Sequence, residues 1–315
     1  MKHILGKILA GDHPVQEYSP VTIEDEIREH VYLSTGALIT NISPSHWLLC
    51  LEPVIFGVWA GEKEAIALLN GKGGYRMYFT SCAADSSNIQ KNAVAILDLD
   101  FLELIEEEGG CLLLFKLTHT SLGHVHSIKS LLYFLRYYKK PGLTFSKFKS
   151  LVAAFCYPRQ VRLVSFREGD YYTIFPMDLV GEIGWGNRFV FGLRHTNAAL
   201  SRIIETKNLV VAEVSCKQKD LIYGLGKHHS SAPPPLKLLP FRVFQSTGLG
   251  FYLPEWIESY REIRILKTIN LGSQMLLWGE WTNNNIVSAS SGHLYHIHFL
   301  HWLDQQKRGM GYSSV

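Results

Sequence analysis

The chain has 315 residues, 47% of them hydrophobic and 19% charged, with a mean hydropathy of +0.04. That composition supplies apolar material for one large domain or two modest ones and excludes wholesale disorder, and the 26 Gly and 12 Pro follow no G-X-Y period that would signal a collagen-like chain. Lys and Arg total 31 against 28 Asp and Glu, too even a balance for a nucleic-acid-binding surface, so no nucleic-acid partner is expected.

The five cysteines, Cys50, Cys82, Cys111, Cys156 and Cys216, are far apart and form no CxxC pair. Neither a disulfide framework nor a thiolate zinc site is expected, and a reduced, cytoplasmic compartment is favoured. The opening MKHILGKILAGDHPVQEY has a short apolar stretch and no small-residue cleavage site, so it does not read as a signal peptide. A long uncharged run, residues 31–51, is interrupted by Ser, Thr, Asn, Pro and His. It reads as two strands joined by the turn Asn41-Ile42-Ser43-Pro44-Ser45, not as a span, and no membrane partner is expected.

Residues 31–99 carry strand signals in ALITNI, HWLLCLEPVIFGVWAG and YRMYFTS, with Gly71-Lys72-Gly73-Gly74 as a hairpin turn. That glycine run lacks the GxxxxGK[ST] frame of a nucleotide loop. Asp85-Ser86-Ser87-Asn88 reads as a helix start leading through Ile89, Val94 and Ile96 into another strand. Residues 121–155 read as helical. SIKSLLYFLRYYKK places Ile128, Leu131, Leu132 and Leu135 at i, i+3, i+4, i+7, the core-facing stripe of an amphipathic helix. Lys139 and Lys140 suit its C-terminal end, Pro141-Gly142 stop it, and a short helix over 146–154 follows. Pro158 closes this zone, which divides the chain into 1–157, an α+β region with a helical connector, and 158–315.

The second part again reads mostly as strands. RQVRLVSF and DYYTIFPMDLV flank the hairpin turn Arg167-Glu168-Gly169-Asp170, and RFVFGL precedes a helix over 196–207. Residues 209–214 return as a β-branched strand. After a Pro-rich excursion at 228–235 come REIRILKTINL, QMLLWGEWTNN and HLYHIHFLHWL, read as the last strands of a closed or nearly closed antiparallel barrel.

Phe189 to Val214 is the most informative stretch. A strand ends at Gly192-Leu193, Arg194-His195-Thr196-Asn197 opens a helix with Thr196 as candidate N-cap, and a strand follows. Unpaired helix amides beside a fixed positive charge make a phosphate cradle, although the same pattern also describes an ordinary capped helix. His293, His296, His298 and His301 are the rival signal. His296 and His298 share a face if the segment is a strand, but no HExxH, Cys or carboxylate accompanies them, so no metal site is assigned. His124 and His126 form a similar pair. Trp278 and Trp281 read as core or interface packing.

The order of strand, acidic-Gly turn, extended segment, strand, Arg-His-Thr-Asn, helix and β-branched strand resembles the flavin reductase-like, FMN-binding split-barrel family. The matching runs are Pro158-Arg159-Gln160-Val161-Arg162-Leu163-Val164, Thr173-Ile174-Phe175-Pro176-Met177-Asp178, and Arg194-His195-Thr196 with Ile203-Ile204-Glu205-Thr206-Lys207-Asn208-Leu209-Val210-Val211. The tail Gln305-Gln306-Lys307-Arg308-Gly309-Met310-Gly311-Tyr312 is similar to the family's closing run. The resemblance covers the C-terminal half. It implies a mainly β fold, an FMN-binding split β-barrel of antiparallel Greek-key type. It further implies that Tyr172, Thr173, Ile174, Phe175, Pro176, Met177 and Asp178 lie against the isoalloxazine and ribityl chain, and that Arg194, His195, Thr196 and Asn197 form the phosphate turn. In YGLGKHH, it makes Lys227 and His228 candidate contacts to flavin or nicotinamide. Asp178 stands where a Ser is usual, His195 where an acid is usual, and Lys207-Asn208 where the helix-ending Gly is usual.

The first half faintly echoes this plan: strand YRMYFTS, Asp85-Ser86-Ser87-Asn88, helix and strand AVAILDLD set beside RFVFGL, Arg194-Asn197, helix and NLVVAEV. A degenerate second barrel is therefore expected there, without a phosphate site because Asp85 replaces the arginine. The resemblance implies FMN as cofactor, NAD(P)H as co-substrate, hydride transfer to flavin and a homodimer. A non-catalytic flavin-binding module and, further off, a histidine-based metalloenzyme are the alternatives. No nucleophile triad or paired carboxylates are evident.

Overall fold

The computed structural model describes residues 16–123, 127–184, 187–289 and 292–315. The first half contains β1 (Tyr18–Ile23), β2 (His30–Thr35), β3 (Leu38–Asn41), β4 (His46–Leu51), β5 (Val54–Ala60) and helix α1 (Glu62–Leu69). It continues with β6 (Tyr75–Thr80), α2 (Ile89–Asn92), β7 (Ala93–Glu107) and β8 (Gly110–Leu122). A helical connector follows: α3 (Ser127–Tyr133), prolonged by a π-helical turn (Phe134–Tyr138), and α4 (Phe145–Ala154). The second half opens with β9 (Arg159–Gln160), β10 (Arg162–Glu168), β11 (Tyr171–Met177), β12 (Val180–Ile183), β13 (Arg188–Arg194), α5 (Leu200–Thr206) and β14 (Asn208–Val214). After α6 (Lys219–Gly224), β15 (Val243–Gln245) and β16 (Tyr252–Pro254) come β17 (Ile257–Asn270), β18 (Gln274–Ile286), β19 (His293–His298), α7 (Phe299–Lys307) and β20 (Ser313–Ser314).

The fold is mainly antiparallel β, and its two large sheets follow one path. The seven strands of the first run in the order β3-β2-β6-β7-β8-β5-β4, and those of the second β11-β10-β14-β17-β18-β13-β12. Substituting each strand by its counterpart in chain order converts one sequence into the other. The two halves therefore share one strand path. The matched strands β5 and β13 each carry a Phe-Gly pair, Phe56-Gly57 and Phe191-Gly192.

This path corrects the pairing of the two halves drawn from sequence. The counterpart of β13 is β5, not β6, so the turn that corresponds to Arg194-Asn197 begins at Gly61, before α1. Asp85 to Asn88 instead lie between β6 and β7. The shared sequence is too short to fix that register, whereas strand order does so without it.

Each half has its own core, one built on Leu163, Phe166, Val210 and Ile263, the other on Leu33, Phe79, Leu97 and Leu113. A third cluster joins them: Leu49, Trp59, Leu112 and Leu114 pack against Val190, Leu276 and Trp278. Trp59 and Trp278 stack with ring centroids 6.0 Å apart. Burying each such side chain contributes about 1.5–3 kcal/mol. Close approach is possible because β13 carries a glycine: a Cβ on Gly192 would lie 1.9 Å from the Leu49 carbonyl oxygen. The edge of the contact is closed by backbone, since Ser273 N donates to Glu52 O at 2.7 Å and Leu51 N donates to the Gln274 side-chain oxygen at 3.0 Å.

A smaller sheet, β20-β1-β19-β9, brings the first described strand between strands from the end of the chain. Below it, Glu29 is buried and accepts from Tyr312 Oη at 2.6 Å, with His301 Nε2 at 3.3 Å and the Gln305 amide also bound.

Three local expectations fail for identifiable reasons. Gly71 to Gly74 connect α1 to β6 and are not a hairpin, because EKEAIALL buries Ala65 and Leu68 as a helix. The end of HLYHIHFLHWL is helical from Phe299, where Phe299, Leu300, Trp302 and Leu303 bury at helical spacing and the His298 side chain caps the start. The stripe Ile128, Leu131, Leu132, Leu135 faces outward. The same helix carries Ser130, Tyr133, Phe134 and Tyr137 at identical spacing, and these larger aromatic surfaces take the core side.

Candidate functional site

β13 delivers Arg194 to the junction of the two halves. The residues after it do not start a helix at once: Asn197 N donates to Arg194 O at 2.9 Å and Leu200 N to Asn197 O at 3.1 Å, so α5 begins at Leu200 with Ala199 as N-cap, not Thr196. The helix ends at Lys207 with φ 57°, the left-handed position where glycine is common. Asn197 is buried, and its side-chain oxygen accepts from Ala199 N at 2.9 Å, which fixes the amide's orientation. Its Nδ2 is left buried with no acceptor among the described residues. Such a donor is costly unless something completes it.

Arg194 and Thr196 open onto a cleft of about 510 Å³, walled also by Tyr18 and Glu52 of the first half and by Lys140 and Lys147 of the connector. That volume lies within the range of small-molecule sites, roughly 300–1,000 Å³. Lys147 is paired with Glu52 at 3.5 Å, while among the described residues Arg194 has no carboxylate within 4.0 Å. The cleft therefore offers an exposed guanidinium, a hydroxyl and a second cation, Lys140, together with the carboxylate of Glu17. This donor set suits an oxyanion such as a phosphate.

The extended segment lies elsewhere around the same turn. β11 is covered by the one-turn helix Leu225–His229. Thr173 Oγ1 donates to His228 O at 3.3 Å, and the buried His228 ring places Nδ1 3.3 Å from Ile174 O. Burial lowers the pKa of His228, and burial followed by nearby Arg194 lowers that of His229. Tyr172 Oη donates to Pro234 O, Phe175 meets the His229 ring edge-on, and Pro176 lies beside Gly226. Ala198 N donates to His229 O at 3.1 Å. The structure thus brings β11, residues 225–229 and the Arg194 turn into one assembly. Lys227 is exposed, as is His195, whose Nε2 lies 3.2 Å from Asn270 Oδ1.

Met177 bridges the cores of the two halves, and Asp178 starts a polar chain that runs out to the surface. Arg159 Nη2 lies 3.2 Å from Asp178 Oδ2, His296 Nδ1 lies 2.9 Å from the same oxygen, and His296 Nε2 is 2.6 Å from Tyr223 Oη. Burial opposes ionisation of Asp178, but Arg159 and the His296 ring outweigh it and hold the carboxyl well below the usual range. Burial, then Asp178, pushes the Tyr223 hydroxyl up. A smaller cavity of about 260 Å³ adjoins Asp178, Arg159 and His46. Burial brings His46 down to about 4, partly offset by its bonds to the Ile42 and Ser43 carbonyls, so it is neutral at pH 7.

Sequence reasoning missed this Tyr223–His296–Asp178 chain. Its two signals were present, an Asp where the family has Ser and a histidine-rich last strand, but nothing in the sequence joins residues so far apart. The four C-terminal histidines diverge: His296 turns to Asp178, His298 caps α7, His301 meets Glu29 and His293 faces Glu258 at 3.3 Å. Among the described residues no three His, Cys, Asp or Glu are placed to hold a metal ion. His124 and His126 lie outside the described residues.

No family model and no curated protein sequence matches this chain. Among solved structures it is similar to the FMN-binding protein of Thermus thermophilus with bound p-hydroxybenzaldehyde, at 16% identity and a TM-score of 0.36 over 41% of this chain and 71% of that one. The NADH:FAD oxidoreductase SgcE6 of Streptomyces globisporus C-1027 is similar at 13% identity and 0.43 over 50% and 94%. Flavin reductase PheA2 is similar at 15% identity and 0.39 over 46% and 94%. About half of the chain is thus similar in fold to flavin reductase and FMN-binding split-barrel proteins.

Proposed function

We propose that this chain is an FMN-binding flavoprotein of the flavin reductase-like kind, taking hydride from NAD(P)H. The observation that carries the reading is the Arg194 turn. It combines an exposed guanidinium and the Thr196 hydroxyl at the mouth of a cleft of about 510 Å³, with the buried, unsatisfied Asn197 amide next in the chain. Arg194 and Thr196 would hold the phosphate, with Lys140 in the same cleft. FMN, when bound, supplies the hydride-accepting ring, and the protein supplies position and charge. The chain's own residues supply a proton path: Asp178 orients His296 through Nδ1, and His296 Nε2 faces the Tyr223 hydroxyl at the surface.

Replacing Arg194 by Ala removes a charge-assisted contact of about 1.5–3 kcal/mol. FMN titration followed by flavin fluorescence should show affinity weakened roughly 10- to 100-fold, and an unchanged affinity removes Arg194 from the site.

A second reading, a flavin-binding module without turnover, is favoured by the closure of β11. The residues expected against the isoalloxazine are bonded to the chain's own Leu225–His229 segment. NADH oxidation with free FMN or FAD as acceptor separates the two, since measurable turnover excludes a pure binder.

The proposed division at residues 157 and 158 follows the point where the strand path begins to repeat. The resemblance implies a homodimer because such sites lie near a subunit interface. Here both halves of one chain already wall the cleft, so the proposed site is complete in a single copy.

A further inference from the structure

Between Glu108 and Glu168 the chain contains no Asp or Glu, and within this stretch lies the helical connector with Lys129, Arg136, Lys139, Lys140, Lys147 and Lys149. α3 and its π-helical turn bury the aromatic stripe described above. On the opposite side Ile128, Leu131, Leu132 and Leu135 are 65%, 39%, 47% and 51% exposed. Four aliphatic side chains in a row on one face form a continuous apolar ridge, unlike scattered surface leucines. Arg136, Lys139 and Lys140 are themselves exposed beside it.

The charge pattern decides which occupant this ridge suits. Two copies meeting through it about a two-fold axis would set the exposed Arg136, Lys139 and Lys140 of one against those of the other, which is repulsive. An anionic lipid surface satisfies both features at once: the aliphatic face enters the headgroup–acyl boundary while the cations meet phosphates. No helix among the described residues is long and apolar enough to cross a membrane, so the geometry is that of a helix lying on the surface. We propose that α3 and its π-helical extension form an interfacial anchor for anionic bilayers, with Ile128, Leu131, Leu132 and Leu135 as the inserted side. Lys140 and Lys147 also wall the Arg194 cleft, so the anchor would hold the mouth of that cleft near the lipid surface.

The test uses the full chain with vesicles of phosphatidylcholine alone and of phosphatidylcholine mixed with phosphatidylglycerol, read by co-sedimentation. The wild-type chain should sediment with the anionic vesicles, remain in solution with the neutral ones, and be released by high salt. The double variant Leu132→Glu/Leu135→Glu should lose at least about tenfold in partitioning. Arg136→Ala and Lys139→Ala should each lose about fivefold. All four positions are exposed, and matching thermal melts of variants and wild type confirm that the fold is kept. The proposal is overturned by a wild-type chain that ignores anionic vesicles, or by leucine variants that bind as well as it does. It is equally overturned by a concentration-dependent dimer that those variants dissolve without any lipid binding, because the ridge then belongs to a second copy.

Discussion

Asp178 is tied into the protein's own structure. It sits at the end of the segment that resembles the flavin-facing run, yet its carboxylate is committed to Arg159 and His296, and the Arg159 guanidinium lies 3.1 Å from the Phe155 ring centroid. Replacing Asp178 by Asn leaves a buried guanidinium without its carboxylate and should destabilise the fold by about 3–5 kcal/mol, read by urea unfolding at neutral pH. The pH dependence has a definite sign. The folded pKa of Asp178 is depressed below its ordinary 3.8, so its stabilising contribution is fully present above that value and is lost as pH falls through the folded one. Below about pH 4 the urea midpoint of the wild type should therefore fall more steeply with falling pH than that of the Asn variant. Parallel curves would remove Asp178 from the acid response.

At the scale of elements, the legible parts of the sequence were those whose burial follows their own periodicity. β10, β11, β13 and β14 read correctly because VRLVSF, YYTIF, RFVFGL and LVVAEV combine β-branched or aromatic residues with bounding turns. α3 was found as a helix but turned the wrong way, since aliphatic and aromatic stripes of equal spacing compete and only the surrounding core chooses. The site was half legible. Arg194 and Thr196 open on the cleft as the pattern suggested, but Lys140, Tyr18 and the His296 chain arrive from distant segments, and local pattern does not encode such meetings. The contact between halves depends on one missing side chain. Gly192→Ala places a methyl group against the Leu49 carbonyl and should lower the melting temperature, whereas Gly184→Ala, with nothing within 4 Å of its Cβ, should leave it nearly unchanged. Equal melting temperatures for the two variants would mean that β13 and β4 can separate at little cost.

The whole molecule is a tandem in which one topology has been used twice with different outcomes. The second half ends β13 with Arg194, whereas the first ends β5 with Trp59-Ala60 and starts α1 with Glu62 and Glu64. Trp59 is spent on the contact with Trp278, and two carboxylates repel an anion from the equivalent turn. The chain should therefore bind one FMN per copy, not two, as measured by the flavin absorbance of the loaded protein against its chain concentration. A stoichiometry of two would place a second cofactor where the electrostatics oppose it.

The small sheet that traps β1 between β19 and β20 has a bearing on biosynthesis. Tyr18 pairs with His298, and Thr22 pairs with both Leu294 and Ser313. On the ribosome the first half can collapse while the second is still being translated, but β1 must stay without its neighbours until β19 and β20 have left the exit tunnel. Nascent chains halted before β19 would then display a bare strand edge open to mispairing.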